Sequence, residues 1–366
     1  MYSNEYFQYR DGLLNTYAKL TQDEQLTVAY MGGSVTYGIG ASDLSDSYRS
    51  RTTAWLKSQF PNATITEVNA AVPSACSAFG AYWVDEIVLP RVPDLVFVEY
   101  AINDYYARDK YSLTDVSRHY ETIIRKLRRA NPACDIVALY TTDNTCSMLN
   151  TSYFEQAETQ DGIAAMYGIP SINVGHQSCK ELSLTSGINS AGWYTYYTDG
   201  VHPTEEGYAQ YAKVITRCLQ TALIEAPKSF MNISATPKNM PASKNSDLIM
   251  NSRYIPAVSM NATGWALNST GVGVGGFGHT PGYLYTNSSD AAVTFSVTGK
   301  DIALFCTLGG RSITYTIDGG EEIAISTNNH PMPLGLELSD EEHTIAVRCN
   351  DATADSPFVI AGVLTV

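Results

Sequence analysis

Apolar and polar residues divide the chain into two stretches with different periods. Over residues 1–225, short continuous apolar runs alternate with segments whose apolar positions recur every three to four residues. The runs LTVAYM (26–31), TITEVNAA (64–71), PDLVFVEYA (93–101), DIVALYT (135–141) and PSINVG (170–175) predict strands. Residues 45–60, 77–89, about 115–130, about 152–168 and about 205–222 predict helices. Tyr48, Trp55, Leu56 and Phe60 fall roughly on one side of the first. Val116, Tyr120, Ile123, Ile124 and Leu127 form a stripe along the third. Five strands separated by helices predict a parallel sheet covered on both faces. In such sheets, sites gather beyond the carboxyl ends of the strands.

From residue 226 the period is lost. EAPKSFMNISATPKNMPASKNSD is rich in Pro, Ser, Asn and Lys, and residues 226–248 read as a linker. Residues 249–366 then carry short alternating runs at 292–299, 301–308, 312–320, 321–327, 343–349 and 358–366. The DGG between the third and fourth is a hairpin signal. Many short strands with glycine turns predict a β-sandwich or jelly roll.

Composition narrows the classes. Hydrophobic residues make up 44% of the 366 and charged residues 16%, which suits packed domains rather than disorder. The net charge is −14, and both stretches are acidic, so neither offers the positive field a nucleic-acid backbone needs. The one basic cluster, Arg125, Lys126, Arg128 and Arg129, reads as a solvated helix face. No apolar stretch approaches the ~20 residues that span a bilayer. MYSNEYFQYRDG lacks the basic and apolar regions of a signal peptide. Seven cysteines without CxxC spacing suit reduced, buried thiols and a cytoplasmic protein; a Cys306–Cys349 disulfide is the alternative.

The chemistry concentrates in two places. In VAYMGGSVTYGIG (28–40), a strand stops at Gly32-Gly33 and Ser34 follows at once. The glycines permit a tight turn and close backbone approach, which exposes the hydroxyl and aims N–H groups where an oxyanion can form. A glycine-rich turn also suits phosphate. No Gly-Lys-Ser/Thr completes a P-loop, GIGASD lacks the third dinucleotide glycine, and Thr36 breaks the G-x-S-x-G elbow. A nucleophilic serine needs a base. Of six histidines, His202 is the best placed, in YYTDGVHPTEEGYAQYA (196–212). Asp199, three residues earlier, can fold back onto the imidazole and fix its tautomer. Pro203, Glu205 and Glu206 suit the start of a helix.

These residues resemble the motif blocks of the SGNH (GDSL-like) hydrolase superfamily, in order, over about 200 residues. Block one is Gly32 to Thr36, block three Tyr100 to Asp104 with its Asn-Asp, and block five Asp199 to Pro203. The resemblance implies a flavodoxin-like three-layer α/β/α sandwich with a five-stranded parallel sheet in residues 1–225. It implies Ser34 as nucleophile, His202 as base and Asp199 as its orienting partner, with no metal or cofactor. Asn103 and the backbone N–H groups of Ser34 and Ser74 would hold the oxyanion. Ser74 stands where the family places a glycine, and a positive φ there would strain it.

An SGNH domain followed by a sandwich resembles carbohydrate-active esterases of the acetyl-mannan type, which carry a family-35-like carbohydrate-binding module. The implied substrate is an acetylated oligosaccharide. The alternatives are a lysophospholipase or short-chain esterase, and a non-catalytic glycan-binding protein. Candidate sugar contacts are Trp193, just upstream of Asp199, and Phe277, His279 and Tyr283 around the loop GVGVGGFGHTPGY.

Overall fold

The computed structural model describes residues 2–146, 154–184, 192–229, 234–269, 280, 282–327 and 331–366. The chain forms two compact units, Met1–Leu248 and Ile249–Val366.

The first unit is built on one sheet of β1 (Phe7–Gln8), β2 (Gln25–Gly32), β3 (Thr64–Asn69), β4 (Leu95–Glu99), β5 (Asp135–Leu139) and β6 (Ser171–Ile172). The spatial order is β1-β6-β5-β4-β2-β3. The strands β2 to β6 pair in parallel, as the apolar runs predict, and β4 and β5 are buried throughout. β1 adds an antiparallel edge that the sequence pattern does not show, because only two of its residues pair with β6. The strand order makes β2 and β4 neighbours from which the chain winds in opposite directions. Their carboxyl ends therefore open a crevice.

Several helices begin where polar side chains satisfy their first N–H groups. Ser47 caps Tyr48–Gln59, Thr204 caps Glu205–Gln220, and Ser112 with Asp115 forms a reciprocal box at Leu113–Ala130. The run 170–175 keeps only two strand residues. Asn173 then accepts from the His176 N–H and opens the helix Val174–Glu181. Leu14–Thr21 and Trp193–Tyr196 are further helices outside the apolar periodicity.

Residues 234–248 lack regular structure, as a connector would, yet they belong to the first unit. Thr236 exchanges hydrogen bonds with Asn15, Lys238 pairs with buried Asp135, and the Lys244 and Asn245 N–H groups donate to Glu121. This strap also corrects the reading of the basic cluster. Lys126 and Arg128 are buried, Arg125 and Arg128 donate to the Pro241 and Asn239 carbonyls, and Lys126 meets Asp85 and the Ala81 carbonyl. Arg125, Lys126 and Arg128 are thus spent on internal carbonyls and a carboxylate, while Arg129 stays exposed as a solvated face would.

The second unit has two antiparallel sheets. One runs Met332–Gly335, Ile302–Cys306, Phe358–Thr365, Tyr283–Thr286 and Ala266–Asn268, with Arg253–Pro256 also on Phe358–Thr365. The other runs Ile323–Thr327, Arg311–Ile317, Glu342–Cys349, Ala292–Thr298 and Ala262–Thr263. Val293, Phe295, Val347, Leu304 and Ile360, drawn from both sheets, share one core, as in a sandwich. At the predicted hairpin, Asp318 and Gly319 both take positive φ (53° and 68°), which the Asp-Gly pair tolerates. All seven cysteines are free and buried, Cys306 and Cys349 included. Among the described residues, no helix is long and apolar enough to cross a membrane.

Candidate active site

β2 ends at Gly32, and Ser34 opens the four-residue helix Ser34–Tyr37. Both glycines are required by contact. A Cβ on Gly32 would lie 2.3 Å from Thr36 Oγ1 and 2.6 Å from the Glu99 carbonyl. One on Gly33 would lie 2.6 Å from Asn103 Nδ2. The stripped bulk at this turn thus lets the Asn103 amide lie directly against the backbone beside Ser34.

The base arrives from the far end of the unit. His202 Nε2 is 2.8 Å from Ser34 Oγ, and His202 Nδ1 is 2.7 Å from Asp199 Oδ2. The other oxygen, Asp199 Oδ1, accepts from the Val201 and His202 N–H groups, each at 2.8 Å. Burial alone raises the Asp199 pKa, but these bonds from His202 and Val201 outweigh it and hold the carboxyl below its ordinary value. Asp199 therefore remains an anion able to orient the ring and stabilise it when protonated.

This turn is braced on every side. Trp193 Nε1 donates to the Asp199 carbonyl at 2.7 Å, and the Thr198 N–H donates to the His202 carbonyl at 2.8 Å. Gly40, at φ +102°, leaves room for the Pro203 carbonyl, which a Cβ there would meet at 2.3 Å. From the loop after β5, the Asn144 N–H donates to the Gly200 carbonyl at 2.9 Å. Asp143, next to it, accepts from the Tyr106 hydroxyl at 2.6 Å.

Asn103 sits in the first turn of the helix Ala101–Tyr106, which starts directly beyond β4. Its neighbour Asp104 points inward, accepting from the Ser77 N–H at 2.7 Å and from Gln160 Nε2 at 2.6 Å. Burial pushes that carboxyl up to about 7 against those hydrogen bonds. The Asn-Asp pair thus splits its work, Asn103 facing the Ser34 turn and Asp104 pinning the helix to its neighbours. Ser74 has a positive φ of 62°, the left-handed conformation in which a serine is strained. Its loop runs beside β2, where the Val72 N–H donates to the Gly32 carbonyl at 3.0 Å.

The candidate sugar contacts fare differently. Trp193 is only 1% exposed and stacks on Tyr197 at 4.0 Å, so its face is unavailable to a sugar ring. It supports the Asp199 turn instead. Tyr283 is buried in the second unit, its hydroxyl accepting from Asn268 Nδ2 at 2.9 Å. Phe277 and His279 lie outside the described residues. Among the described residues of the second unit, Tyr285 is the one aromatic ring that is not buried, and it is only half-exposed. An aromatic platform for glycan is therefore not visible there. The sequence reading passed over Glu99, Tyr106, Thr141 and Asn144. A glutamate closing an otherwise apolar strand, and a Thr-Thr-Asp-Asn run after β5, were the signals available.

The model of the GDSL-like lipase/acylhydrolase family matches residues 30–210, from the end of β2 into the helix that follows His202. No curated protein matches the chain. Among solved structures, it is similar to a two-domain esterase (CEX) active on acetylated mannans, at 19% identity over 98% of each chain with a TM-score of 0.76. The same esterase co-crystallized with mannopentaose gives 18% identity, 98% of each chain and a TM-score of 0.75. At that identity the likeness is one of fold, and it covers both units.

Proposed function

Residues 30–210 of this chain belong to the GDSL-like lipase/acylhydrolase family, and from that premise we propose a serine esterase that removes O-acetyl groups from acetylated mannan- or xylan-derived oligosaccharides. The observation that carries the reading is the continuous relay from Asp199 through His202 to Ser34, with both links at hydrogen-bond length. Such a relay turns a weakly nucleophilic hydroxyl into an attacking oxygen.

In the first step Ser34 Oγ bonds to the ester carbonyl carbon and its proton passes to His202 Nε2. The carbonyl oxygen becomes an oxyanion, held by the Asn103 amide and by the N–H groups of Ser34 and Ser74. The tetrahedral adduct then collapses. The carbon–oxygen bond to the sugar breaks, and the sugar oxygen leaves with the proton from His202. Water attacks the acetyl-serine, again giving a proton to the imidazole, and acetate departs as Ser34 Oγ recovers it. Asp199 keeps the Nδ1–H of His202 in place through both halves.

The sugar substrate is supported by the two-domain layout shared with an esterase active on acetylated mannans. The −14 charge also disfavours an anionic lipid surface. The test compares acetate release from acetylated manno- and xylo-oligosaccharides with hydrolysis of octanoyl esters. Acetyl substrates are expected to exceed octanoyl ones by ~100-fold or more in kcat/KM, since several added methylenes must each find room. A preference for octanoyl esters overturns the acetyl reading, and folded protein that turns over no ester overturns the catalytic one.

Ser74 supplies a separate expectation. Its role uses the backbone N–H, which glycine retains, and glycine relieves about 1 kcal/mol of left-handed strain while loosening the unfolded chain by a similar amount. Ser74→Gly should therefore keep kcat within about threefold and leave stability within about 1 kcal/mol, read by ester turnover and denaturant titration. A large fall in kcat would assign the work to the hydroxyl.

A further inference from the structure

β4 is apolar through Val98 and then ends in Glu99, whose side chain is fully buried. A buried carboxyl is costly unless its oxygens are hydrogen-bonded, and an apolar residue of similar size would be cheaper for stability alone. Its contacts show what occupies it. Glu99 Oε2 accepts from Thr36 Oγ1 at 2.8 Å, and Oε1 accepts from Thr141 Oγ1 at 2.7 Å. The Gly33 N–H also faces this carboxyl and favours its charged form. Tyr48 OH lies 2.6 Å from Thr36 Oγ1. The Thr36 proton is committed to Glu99, so Tyr48 is the donor in that pair.

Gly33 and Thr36 bracket Ser34. Thr36 is bonded to the Glu99 carboxyl and the Gly33 N–H faces it, so one carboxyl lies against the turn on both sides of the nucleophile. Gly33 is also crowded by the Asn103 amide, which leaves no room for a Cβ there. Thr141 opens the loop whose Asn144 supports Gly200 in the Asp199–His202 turn. A single buried group therefore touches the turn that carries the nucleophile and the loop that steadies the base. Burial drives the carboxyl up to about 7, while the bonds from Thr141, Thr36 and Gly33 draw it down, so the anionic form is favoured by every donor it meets.

We propose that Glu99 is a positioning residue for Ser34: it locks the Gly33–Thr36 turn so that Ser34 Oγ meets His202 Nε2 and the Ser34 N–H faces the developing oxyanion. The inference rests on Ser34 being the nucleophile. A displacement of about 1 Å at such a centre costs on the order of 100-fold in rate without weakening substrate binding.

The test reads kcat per active site. Glu99→Gln keeps the shape but must turn its amide toward a hydroxyl that now donates, and Thr36→Val removes one link while leaving the carboxyl in place. Active sites are counted by labelling with a fluorophosphonate, which reports on Ser34 whatever the natural ester is. Glu99→Gln is expected to lower both kcat per labelled site and the labelling rate by about 10- to 100-fold, with KM for an acetyl ester within about threefold. Thr36→Val should act in the same direction, and the double variant should fall little below the worse single one, because both cut one network. Thr36→Val alone carries the test if the glutamine variant does not fold. Unchanged kcat and labelling rate per site, with only a lowered unfolding temperature, would leave Glu99 a purely structural group and overturn the proposal. A wild-type protein that the fluorophosphonate does not label would remove the nucleophile assignment itself, a result visible before any variant is made.

Discussion

Ser34→Ala is expected to lower kcat for acetyl ester hydrolysis by about 10⁴- to 10⁶-fold while leaving the unfolding temperature nearly unchanged. The two halves of this expectation come from different observations. In the proposed mechanism the hydroxyl is the atom that the relay activates, and alanine offers no lone pair to the carbonyl carbon. The residual rate is then what the oxyanion donors and substrate binding supply alone. Stability is a separate matter. Ser34 is only half-buried, and its hydroxyl bonds to His202, whose ring stays held by Asp199. The tight turn is set by Gly32, Gly33, Thr36 and Glu99, which the substitution leaves in place. Ester turnover and thermal unfolding measured on one preparation check both parts. Activity within tenfold of wild type would remove Ser34 as nucleophile, and a fall of many degrees in unfolding temperature would show that the turn depends on the hydroxyl.

Why so much of this site could be read in the sequence is a question of spacing. The residues lie in three short blocks, each at the end of a strand or the start of a helix, and those ends are marked by glycine, proline and capping residues. The central strands were legible because a doubly covered parallel sheet demands continuous apolar runs. β1 was not, since a two-residue edge leaves no period. In the second unit, the two-residue Ala262–Thr263 and the four-residue Met332–Gly335 are likewise too short to show a period, although they close ends of the two sheets.

The misread residues share another cause. Lys126 and Arg128 have the composition of a solvated face, and only tertiary structure brings the carbonyls of residues 239 and 81 within reach. Trp193 lies six residues from Asp199, which suggested a ring platform. Its indole N–H instead faces inward to the backbone of that residue. Glu99 was hidden by its own strand, because a run scored for apolar continuity absorbs one carboxylate at its end. Long-range partners decide each case, and a single sequence gives none of them directly.

Asp199→Asn is the second large effect, expected to lower kcat by about 10³-fold. The reason is the number of donors that converge on the side chain. Asp199 Oδ1 accepts from two backbone N–H groups, Val201 and His202, and Oδ2 accepts from His202 Nδ1. An asparagine has one oxygen and one NH₂. Backbone N–H groups can only donate, so the oxygen stays with them and the NH₂ turns toward Nδ1. The imidazole must then present a lone pair at Nδ1 and carry its proton on Nε2, the atom that faces Ser34. In that tautomer it cannot take the serine proton. The turn itself survives, since both backbone bonds are kept, and stability should change by less than about 1 kcal/mol. Asp199 is 53% exposed, and solvent screens the charge it lends to the imidazolium. The loss should therefore sit at the lower end of what a buried triad carboxylate shows. Nitrogen NMR of the His202 ring reads the mechanism directly, with the proton on Nδ1 in the wild type and on Nε2 in the variant. A variant that keeps wild-type turnover, or one that loses turnover with the proton still on Nδ1, would show that Asp199 does not act by setting the tautomer.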